Sequence, residues 1–303
     1  MRVLVLGIFV ADATYRTPRL PRMGETVLGG AFALGPGGKG SNQAVAAGRA
    51  GADVTMLTRI GRDAFGDMAE RVWAEAGVRS AAERVEEATG SACILVDDAS
   101  GDNAIVVAPG AAAGVDAAFV EAHRDLVRGA GIVLTQLEQP VEAARRALEI
   151  AREGGAVTVL NPAPAAALPA GMLGLCDYVT PNETEAEALC GIGVASEADA
   201  RRAGARLLEM GVARAAILTL GARGALYNAR GASELVPARA AGPVRETTGA
   251  GDAFNGGFVA ALAEGRAPLD AVRFGNAVAG ISVTRPGAAA SMPTRAEVDA
   301  AMG

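Results

Sequence analysis

Histidine and cysteine are scarce in this sequence, and their scarcity argues against several kinds of active site. The 303 residues include one histidine, His123, in a polar stretch with helical spacing, and three cysteines. A serine–histidine–aspartate triad, a cysteine–histidine pair and a histidine-rich metal site are therefore disfavoured. The scattered thiols form no C-x-x-C pair, which is typical of a reducing compartment. Catalysis must then depend on carboxylates, lysine or arginine, backbone amides or a bound metal ion.

Long apolar runs and an excess of basic residues are also missing. No run approaches the length of a membrane span, and residues 1–7 are typical of a first buried strand rather than a signal peptide. We therefore expect a cytoplasmic protein that binds no membrane. The formal net charge of −6 argues against nucleic acid as a partner. It does not exclude ATP, because glycine loops and Mg²⁺ can outweigh the overall charge locally.

Short apolar runs with β character alternate with helical patterns along most of the chain. The candidate strands are residues 3–8, 54–58, 132–136, 157–161, 178–180 and 215–219. The candidate helices are residues 43–49, 66–76, 141–153, 183–190 and 198–210. This alternation predicts an α/β fold, with a mostly parallel sheet covered by helices on both faces. In such folds, ligands bind beyond the carboxyl ends of the strands.

Two segments, at about residues 11–34 and 91–108, interrupt this alternation. The second reads as a hairpin, because its turn at residues 97–102 is rich in aspartate, serine and glycine. Together the segments predict a small additional sheet. It could be a lid over a cleft, a dimer surface or both, and the simpler alternative is decoration of the main sheet.

A glycine-rich stretch, T-T-G-A-G-D-A-F-N-G-G at residues 247–257, runs directly into an apolar helical pattern. Glycines let backbone amides approach a ligand, and the start of a helix adds free N–H groups and partial positive charge. Such a place suits an anion, for example a phosphoryl group in transit. Asp252 is then interpreted as a base that faces the reaction. The alternative is an ordinary aspartate N-cap.

A second glycine loop, G-P-G-G-K-G-S-N-Q at residues 35–43, matches neither the dinucleotide-binding loop nor the Walker A loop well. A dinucleotide-binding loop would follow the first strand directly, and a Walker A loop would have serine or threonine after Lys39. The ammonium of Lys39 and the amide of Asn42 suit a ligand rich in hydroxyl groups. The alternative is a helix-entry turn with a solvated lysine.

Polar residues also follow several of the candidate strands. Asp12 and Glu138 come just after two of them, and the segments 180–185 and 219–224 follow two others. Taken one at a time, Asp12 reads as a turn residue, and Asn182 with Glu185 reads as a capping box. Glu185 could instead hold Mg²⁺ through water. Because all of these positions lie at the carboxyl ends of strands, we expect them to share one cleft.

The two glycine motifs, at residues 35–44 and 246–255, together closely resemble the two signatures of the PfkB carbohydrate kinases. The segments 160–164, 180–185, 219–221 and 283–287 also match, and the similarity is greatest to the ribokinase branch of the family. The resemblance implies a single three-layer α/β/α domain over residues 1–303, with a β-sheet lid from segments 11–34 and 91–108. It implies transfer of the γ-phosphoryl group of ATP to a hydroxymethyl group of a small sugar, with D-ribose giving ribose 5-phosphate. It also implies a homodimer formed through the lid.

The resemblance also assigns roles to individual residues. Asp252 would be the general base, and the anion hole would be formed by the amides of Gly249, Ala250 and Gly251. The implied sugar site comprises Asp12, Gly38, Lys39, Asn42, Glu138 and Asp252. The implied ATP site comprises Asn182, Thr219, Gly221, Gly251 and Asn276. Glu185 would hold Mg²⁺ through water, and a K⁺ site would comprise Glu246, Ser282, Arg285, Gly287 and Ser291.

Two positions depart from the pattern of the family. Val10 stands where these kinases usually have an asparagine, which removes a polar partner for a sugar hydroxyl. Fructose, tagatose, deoxyribose or a keto-deoxy sugar acid therefore remain alternatives to ribose, while the few aromatic rings disfavour a nucleoside. Glu246 stands where an aspartate is common, so the K⁺ site could be shifted or lost. Outside the kinases, a Rossmann oxidoreductase and a non-catalytic sugar-binding protein are the remaining alternatives.

Overall fold

The computed structural model describes all residues from 1 to 303 and contains two β-sheets and ten α-helices. The strands, in chain order, are β1 (Arg2–Leu6), β2 (Val10–Thr17), β3 (Ala31–Gly37), β4 (Asp53–Gly61), β5 (Arg79–Val85), β6 (Thr89–Asp97), β7 (Asn103–Gly110), β8 (Ile132–Thr135), β9 (Val157–Leu160), β10 (Tyr178–Val179), β11 (Ala215–Thr219), β12 (Ala225–Ala229) and β13 (Ala232–Val236). The helices are α1 (Lys39–Arg49), α2 (Ala64–Glu75), α3 (Ala117–Ala122), α4 (Arg124–Arg128), α5 (Val141–Glu153), α6 (Glu183–Cys190), α7 (Glu197–Glu209), α8 (Ala250–Ala263), α9 (Pro268–Ser282) and α10 (Arg295–Met302).

The larger sheet has nine strands in the order β13-β12-β11-β10-β9-β8-β1-β4-β5. All neighbours from β11 to β5 pair in parallel, whereas β12 and β13 pair antiparallel at one edge. The predicted mostly parallel sheet is therefore confirmed. Its central strands are continuous apolar runs because helices cover both of their faces.

Alternate residues of the central strands belong to different cores. Val3 and Val5 of β1 point to the side of α1, α2, α8 and α9, and they join the largest apolar cluster of the molecule. Leu4 and Leu6 point to the opposite side, where α3, α4 and α5 cover the sheet. This is the period of two expected of a strand, and it produces the three layers of the fold.

Helices α1 and α8 cross at very short range on the first of these faces. A Cβ atom placed on Gly256 of α8 would lie 2.4 Å from the Cβ of Ala46 and 2.7 Å from the backbone nitrogen of Ala47. Only glycine at residue 256 permits this approach. The crossing brings the first turn of α8 against the first turns of α1.

The smaller sheet has four strands in the order β3-β2-β6-β7. It is mixed, since β2 pairs in parallel with β6 while the two outer pairs are antiparallel. The expected additional sheet and its hairpin are confirmed, with Cys93 opposite Val106. Every residue of β7 is exposed, and several of them are apolar.

Some elements were not predicted from the sequence, and one residue lies in a different setting. The hairpin of β12 and β13 and the helices α9 and α10 had no counterpart among the candidate elements. His123, which lies in a polar stretch with helical spacing, is partly buried at the junction of α3 and α4, with Nδ1 2.9 Å from the carbonyl of Phe119. The longest helix has 15 residues, and no helix combines the length and the apolar character of a membrane span.

Candidate active site

A cleft of about 330 Å³ opens at the carboxyl edge of the larger sheet, beside the first turn of α8. All of the residues expected to bind ATP or to form the anion hole line this cleft, together with the expected base, one lysine of the expected sugar site and the glutamate expected to hold Mg²⁺. These are Lys39, Asn182, Glu185, Thr219, Gly221, Gly249, Ala250, Gly251, Asp252 and Asn276. The structure therefore brings together the segments 180–185 and 219–224 and the glycine motif at residues 247–257, as the parallel strand order requires, whereas Asp12 and Glu138 do not line this cleft.

Asp252 lies in the first turn of α8 and is only 7% exposed. Its Oδ2 accepts a hydrogen bond from Asn42 Nδ2 at 3.0 Å, and its Oδ1 accepts one from Gln43 Nε2 at 2.9 Å. The N-cap position is occupied by Gly249, with φ of 77° and no side-chain cap. The alternative interpretation of Asp252 as an N-cap is therefore wrong. Its carboxylate instead faces α1 and the cleft.

The amides at the start of α8 are not equally available. The N–H of Ala250 donates to the carbonyl of Thr247 at 3.1 Å, so this member of the expected anion hole already has a partner. The N–H groups of Gly251 and Asp252 lie in the first helical turn, where no backbone acceptor is available to them. The positive end of the helix dipole lies at the same place. Free donors and partial charge thus meet beside the carboxylate of Asp252.

Of the expected sugar residues, Lys39 and Asp252 line the cleft, whereas Asp12, Gly38, Asn42 and Glu138 are not among its lining residues. Glu138 Oε2 accepts a hydrogen bond from the backbone N–H of Lys39 at 2.7 Å, which connects the loop after β8 to the start of α1. The Asp12 carboxyl lies over Gly37, where an added Cβ would lie 2.2 Å from its Oδ2. Gly38 has φ of 87°, and a Cβ there would lie 2.5 Å from the carbonyl oxygen of Ile8. These glycines leave the space that the carboxyl group and the backbone occupy.

Burial shifts the pKa values of the carboxyl groups in this region upward. It raises the pKa of Asp12 to about 6 and that of Glu138 to about 7. For Glu138, the Lys39 amide and ammonium oppose the shift, while the charges of Asp252 and Asp12 add to it. Burial also raises the pKa of Asp252, against the opposing effects of Lys39, Gln43 and Asn42. Desolvation therefore exceeds the stabilising contacts at each group.

Asn42 is poised for a further hydrogen bond. Its Nδ2 donates to Asp252, but its Oδ1 is buried and has no donor in the protein. A buried acceptor without a partner is costly unless a ligand supplies the donor. A sugar hydroxyl would be such a donor.

At the opposite end of the cleft, Asn182 and Glu185 form a reciprocal capping box at the start of α6. Glu185 Oε2 accepts from the Asn182 N–H at 2.9 Å, and Asn182 Oδ1 accepts from the Glu185 N–H at 2.8 Å. The capping interpretation is thus confirmed, yet the Glu185 side chain also lines the cleft. Its second oxygen, Oε1, has no protein donor. One carboxylate oxygen facing a phosphate-sized space fits Mg²⁺ held through water.

The side-chain amide of Asn276 in α9 can only accept a hydrogen bond from a ligand, because its donors are used within the protein. Its Nδ2 donates to the carbonyls of Val236 and Pro237, at 2.9 and 3.1 Å. Its Oδ1 remains as an acceptor. The Thr219–Gly221 segment forms the neighbouring wall of the cleft, where β11 ends and a 3₁₀ turn begins.

The residues expected to form a K⁺ site lie outside the lining of the cleft. Glu246 Oε2 accepts from the N–H of Gly287 at 2.8 Å. The hydroxyls of Ser282 and Ser291 donate to the carbonyls of Ala279 and Ala288. The guanidinium of Arg285 pairs with Glu297, so its side chain cannot be a cation ligand and only its carbonyl could serve. Glu246 therefore joins the segments around residues 246 and 287 directly.

Val10 is buried at the start of β2 and packs with Ile8 and Ala112. Because side chains two residues apart in a strand share a face, Val10 lies on the same face of β2 as Asp12. An apolar side chain therefore stands next to the expected sugar site.

A network of buried amides under the cleft was not predicted from the sequence. Gln43 connects Asp252 to Asn161 and Gln136, while Asn161 donates to the carbonyl of Thr180. Three members of the network share one feature, since each follows directly on a buried parallel strand. These are Gln136, Asn161 and Thr180. A polar residue at the end of an apolar run was the signal that could have identified them.

Comparisons with known proteins agree with this geometry. The family described as "pfkB family carbohydrate kinase" matches residues 1–295. A ribokinase of Haemophilus influenzae is 40% identical over 295 residues, which cover 97% of this chain and 95% of the relative. A deoxyribokinase of Salmonella typhi is 32% identical over 296 residues, which cover 97% and 96%. The structure of Arabidopsis thaliana ribokinase complexed with ribose and ATP superimposes with a TM-score of 0.91 at 29% identity, covering 99% and 98% of the two chains.

The raised pKa of Glu138 predicts a pH dependence of stability. The folded protein binds this proton more tightly than the unfolded chain, whose ordinary value is 4.5. The contribution of the Glu138 proton to the free energy of unfolding is therefore fully present below pH 4.5 and is lost as the pH rises through about 7. We expect the free energy of unfolding of the wild type, relative to Glu138→Gln, to decrease across this window. Urea unfolding at several pH values measures the difference.

The matched control for this measurement is Glu187→Gln, which replaces an exposed glutamate of α6. Its stability relative to the wild type should not follow the same decrease. A constant difference between the wild type and Glu138→Gln across the window would contradict the prediction.

Proposed function

The chain belongs to the pfkB family of carbohydrate kinases and is an ATP-dependent sugar kinase, and we propose that its acceptor is D-ribose and its product ribose 5-phosphate. Two observations support this substrate: the full-length similarity to ribokinases, and a site whose carboxyl groups suit a small polyhydroxylated ligand. The observation that carries the mechanism is the buried Asp252, held by two amides beside the free N–H groups of α8.

In the proposed reaction, Asp252 accepts the proton of the sugar hydroxymethyl group. The hydroxyl oxygen then forms a bond to the γ-phosphorus of ATP, and the bond from that phosphorus to the bridging oxygen of ADP breaks. The carboxylate is suited to this step because burial raises its pKa towards that of a useful base. Its fixed orientation places the proton acceptor before the substrate arrives.

The charge that develops on the phosphoryl group would be stabilised by the start of α8 and by Lys39. Free helical N–H groups and the helix dipole favour an anion at this position. Phosphoryl transfer needs positioning and charge neutralisation more than covalent catalysis. Mg²⁺, when bound with ATP, neutralises phosphate charge, and Glu185 would hold it through water. Thr219, Gly221 and Asn276 would contact the nucleotide.

We propose that the remaining polar residues bind the sugar and that the smaller sheet covers it. Asp12 and Glu138 would accept hydrogen bonds from sugar hydroxyls, and Asn42 Oδ1 would accept another. The segments 11–34 and 91–108 would act as a lid within one kinase domain and would exclude water from the transfer. A homodimer through this sheet would bury its exposed apolar side chains. These are Phe32, Leu34, Ile105, Val106 and Val107.

Asp252→Asn tests the assignment of the base. The variant cannot accept the proton, so we expect kcat to fall by a factor on the order of 10²–10⁴. ADP release with ribose and Mg-ATP measures the loss. Asp116→Asn is the control, because Asp116 caps α3 away from the cleft and asparagine caps a helix equally well. Turnover of Asp252→Asn near that of the control would overturn the mechanism.

Val10 supports deoxyribose as the second candidate acceptor. An apolar side chain next to the sugar site tolerates a sugar that lacks one hydroxyl group. We expect the wild type to phosphorylate ribose and deoxyribose with comparable kcat/KM, and Val10→Asn to shift the ratio in favour of ribose. A coupled assay with both sugars, fructose, tagatose and a keto-deoxy sugar acid measures the preference. Activity on one of the last three alone would contradict the ribose proposal and leave the kinase chemistry intact.

We further propose that K⁺ is dispensable for this kinase. The bond from Gly287 to Glu246 joins the two segments that a cation would otherwise join. We expect the wild type to retain most of its kcat when K⁺ is replaced by a bulky organic cation. Glu246→Asp is one methylene shorter and should lose this contact, so its activity should depend on K⁺. Strong K⁺ dependence of the wild type would show that Glu246 does not replace the ion.

A further inference from the structure

The side-chain amide of Gln43 connects Asp252 to the carboxyl edge of the main sheet. Gln43 is fully buried in α1. Its Nε2 lies 2.9 Å from Asp252 Oδ1 and 2.9 Å from Asn161 Oδ1, and its Oε1 accepts from Gln136 Nε2 at 2.6 Å. The amide therefore uses both of its donors and its acceptor on groups of the protein.

The partners of Gln43 allow only one orientation of its amide. The carbonyl of Thr180 can only accept, so Asn161 must present Nδ2 to it, at 3.1 Å, and Oδ1 to Gln43. In its ionised form, the carboxylate of Asp252 also can only accept. Both neighbours thus require the nitrogen of Gln43. Its oxygen must then face Gln136.

Gln136, which donates to Gln43, is itself fixed by close backbone packing. A Cβ on Gly7 would lie 2.4 Å from Gln136 Oε1, and a Cβ on Gly40 would lie 3.0 Å from the same atom. The two glycines therefore enclose the amide with no free space on those sides. The support of Gln43 extends in this way to the residues that follow β1 and β8 and to the start of α1.

We propose that Gln43 is the positioning residue for Asp252, holding Oδ1 so that Oδ2 is presented to the sugar hydroxyl. The inference rests on the proposed function, in which Asp252 is the base. Gln43 does not line the cleft, so it acts through Asp252 and not on the substrate. Its donated hydrogen bond also lowers the pKa of Asp252, against the effect of burial. It thereby favours the ionised form of the base while the geometry is held.

Gln43→Met tests this role, because methionine has a similar length and neither donates nor accepts strongly. Without the donor, Asp252 is harder to ionise. We expect the acid limb of the pH profile of kcat to move upward by about one pH unit, the scale of one charge-assisted hydrogen bond. On that limb kcat should fall about tenfold and recover when the pH is raised. The KM values for sugar and ATP should change little.

Gln139→Met is the matched control. Gln139 is equally buried and donates to Thr135 Oγ1 and to the carbonyl of Gln136, but it does not contact Asp252. The Gln139→Met variant should be less stable than the wild type. The acid limb of its pH profile of kcat should coincide with that of the wild type. An acid limb of Gln43→Met at the wild-type position, or an equal shift in Gln139→Met, would overturn the inference.

Two further results keep the test decisive. If Gln43→Met does not fold, Gln43→Leu removes the same donor with a shorter apolar side chain. The acid limb of its pH profile of kcat should then rise by a similar amount, and an unchanged limb would overturn the inference. Failure of the proposed function has a different signature, because Asp252→Asn would then retain turnover. An inactive Asp252→Asn beside an unshifted Gln43 variant would reject only the role of Gln43.

Discussion

The crossing of α1 and α8 is the contact on which the cleft depends. Gly256 lets the two helices approach until its neighbours are Ala46 and the backbone of Ala47. At this distance the amides of Asn42 and Gln43 reach a carboxylate about 210 residues away in the chain. A larger residue at the crossing would separate the helices and break both hydrogen bonds. Packing between two apolar helix faces therefore sets the geometry of the polar site.

The site concentrates groups that repel one another or lose their hydration. Asp12, Glu138 and Asp252 are all desolvated, and Lys39 is the one ammonium group among the residues that line the cleft. The unsatisfied Oδ1 of Asn42 adds to this cost. Such a site is less stable than an apolar core of the same volume, and the cost is accepted because each group is a ready partner for a ligand. The buried charged groups of this region are therefore explained by ligand binding, because they do not stabilise the fold.

Much of the fold could be predicted because the central strands are continuous apolar runs, and helices α5 and α6 were bounded correctly from their patterns. Helix α9 was not predicted, since most of it is buried and no polar face marks its period. The convergence of strand-end residues was expected because parallel strands end at one edge. The roles of Gln43 and Gln136 could not be predicted. Asn161, which accepts from Gln43, lies 118 residues away in the chain, and Gln136 lies 93 residues from Gln43, so only packing brings them together. The N-cap alternative for Asp252 failed for a local reason, since glycine at 249 takes that position.

The amide of Asn276 shows how an internal hydrogen bond can determine the choice of ligand. Both of its donors are committed to the carbonyls of Val236 and Pro237. On the proposed placement of the nucleotide, the base meets an oxygen that can only accept. The exocyclic amino group of adenine is a donor and suits that oxygen, whereas the carbonyl of guanine at the same ring position would face it with a second acceptor. Discrimination between purines would then originate in two backbone carbonyls that never touch the nucleotide.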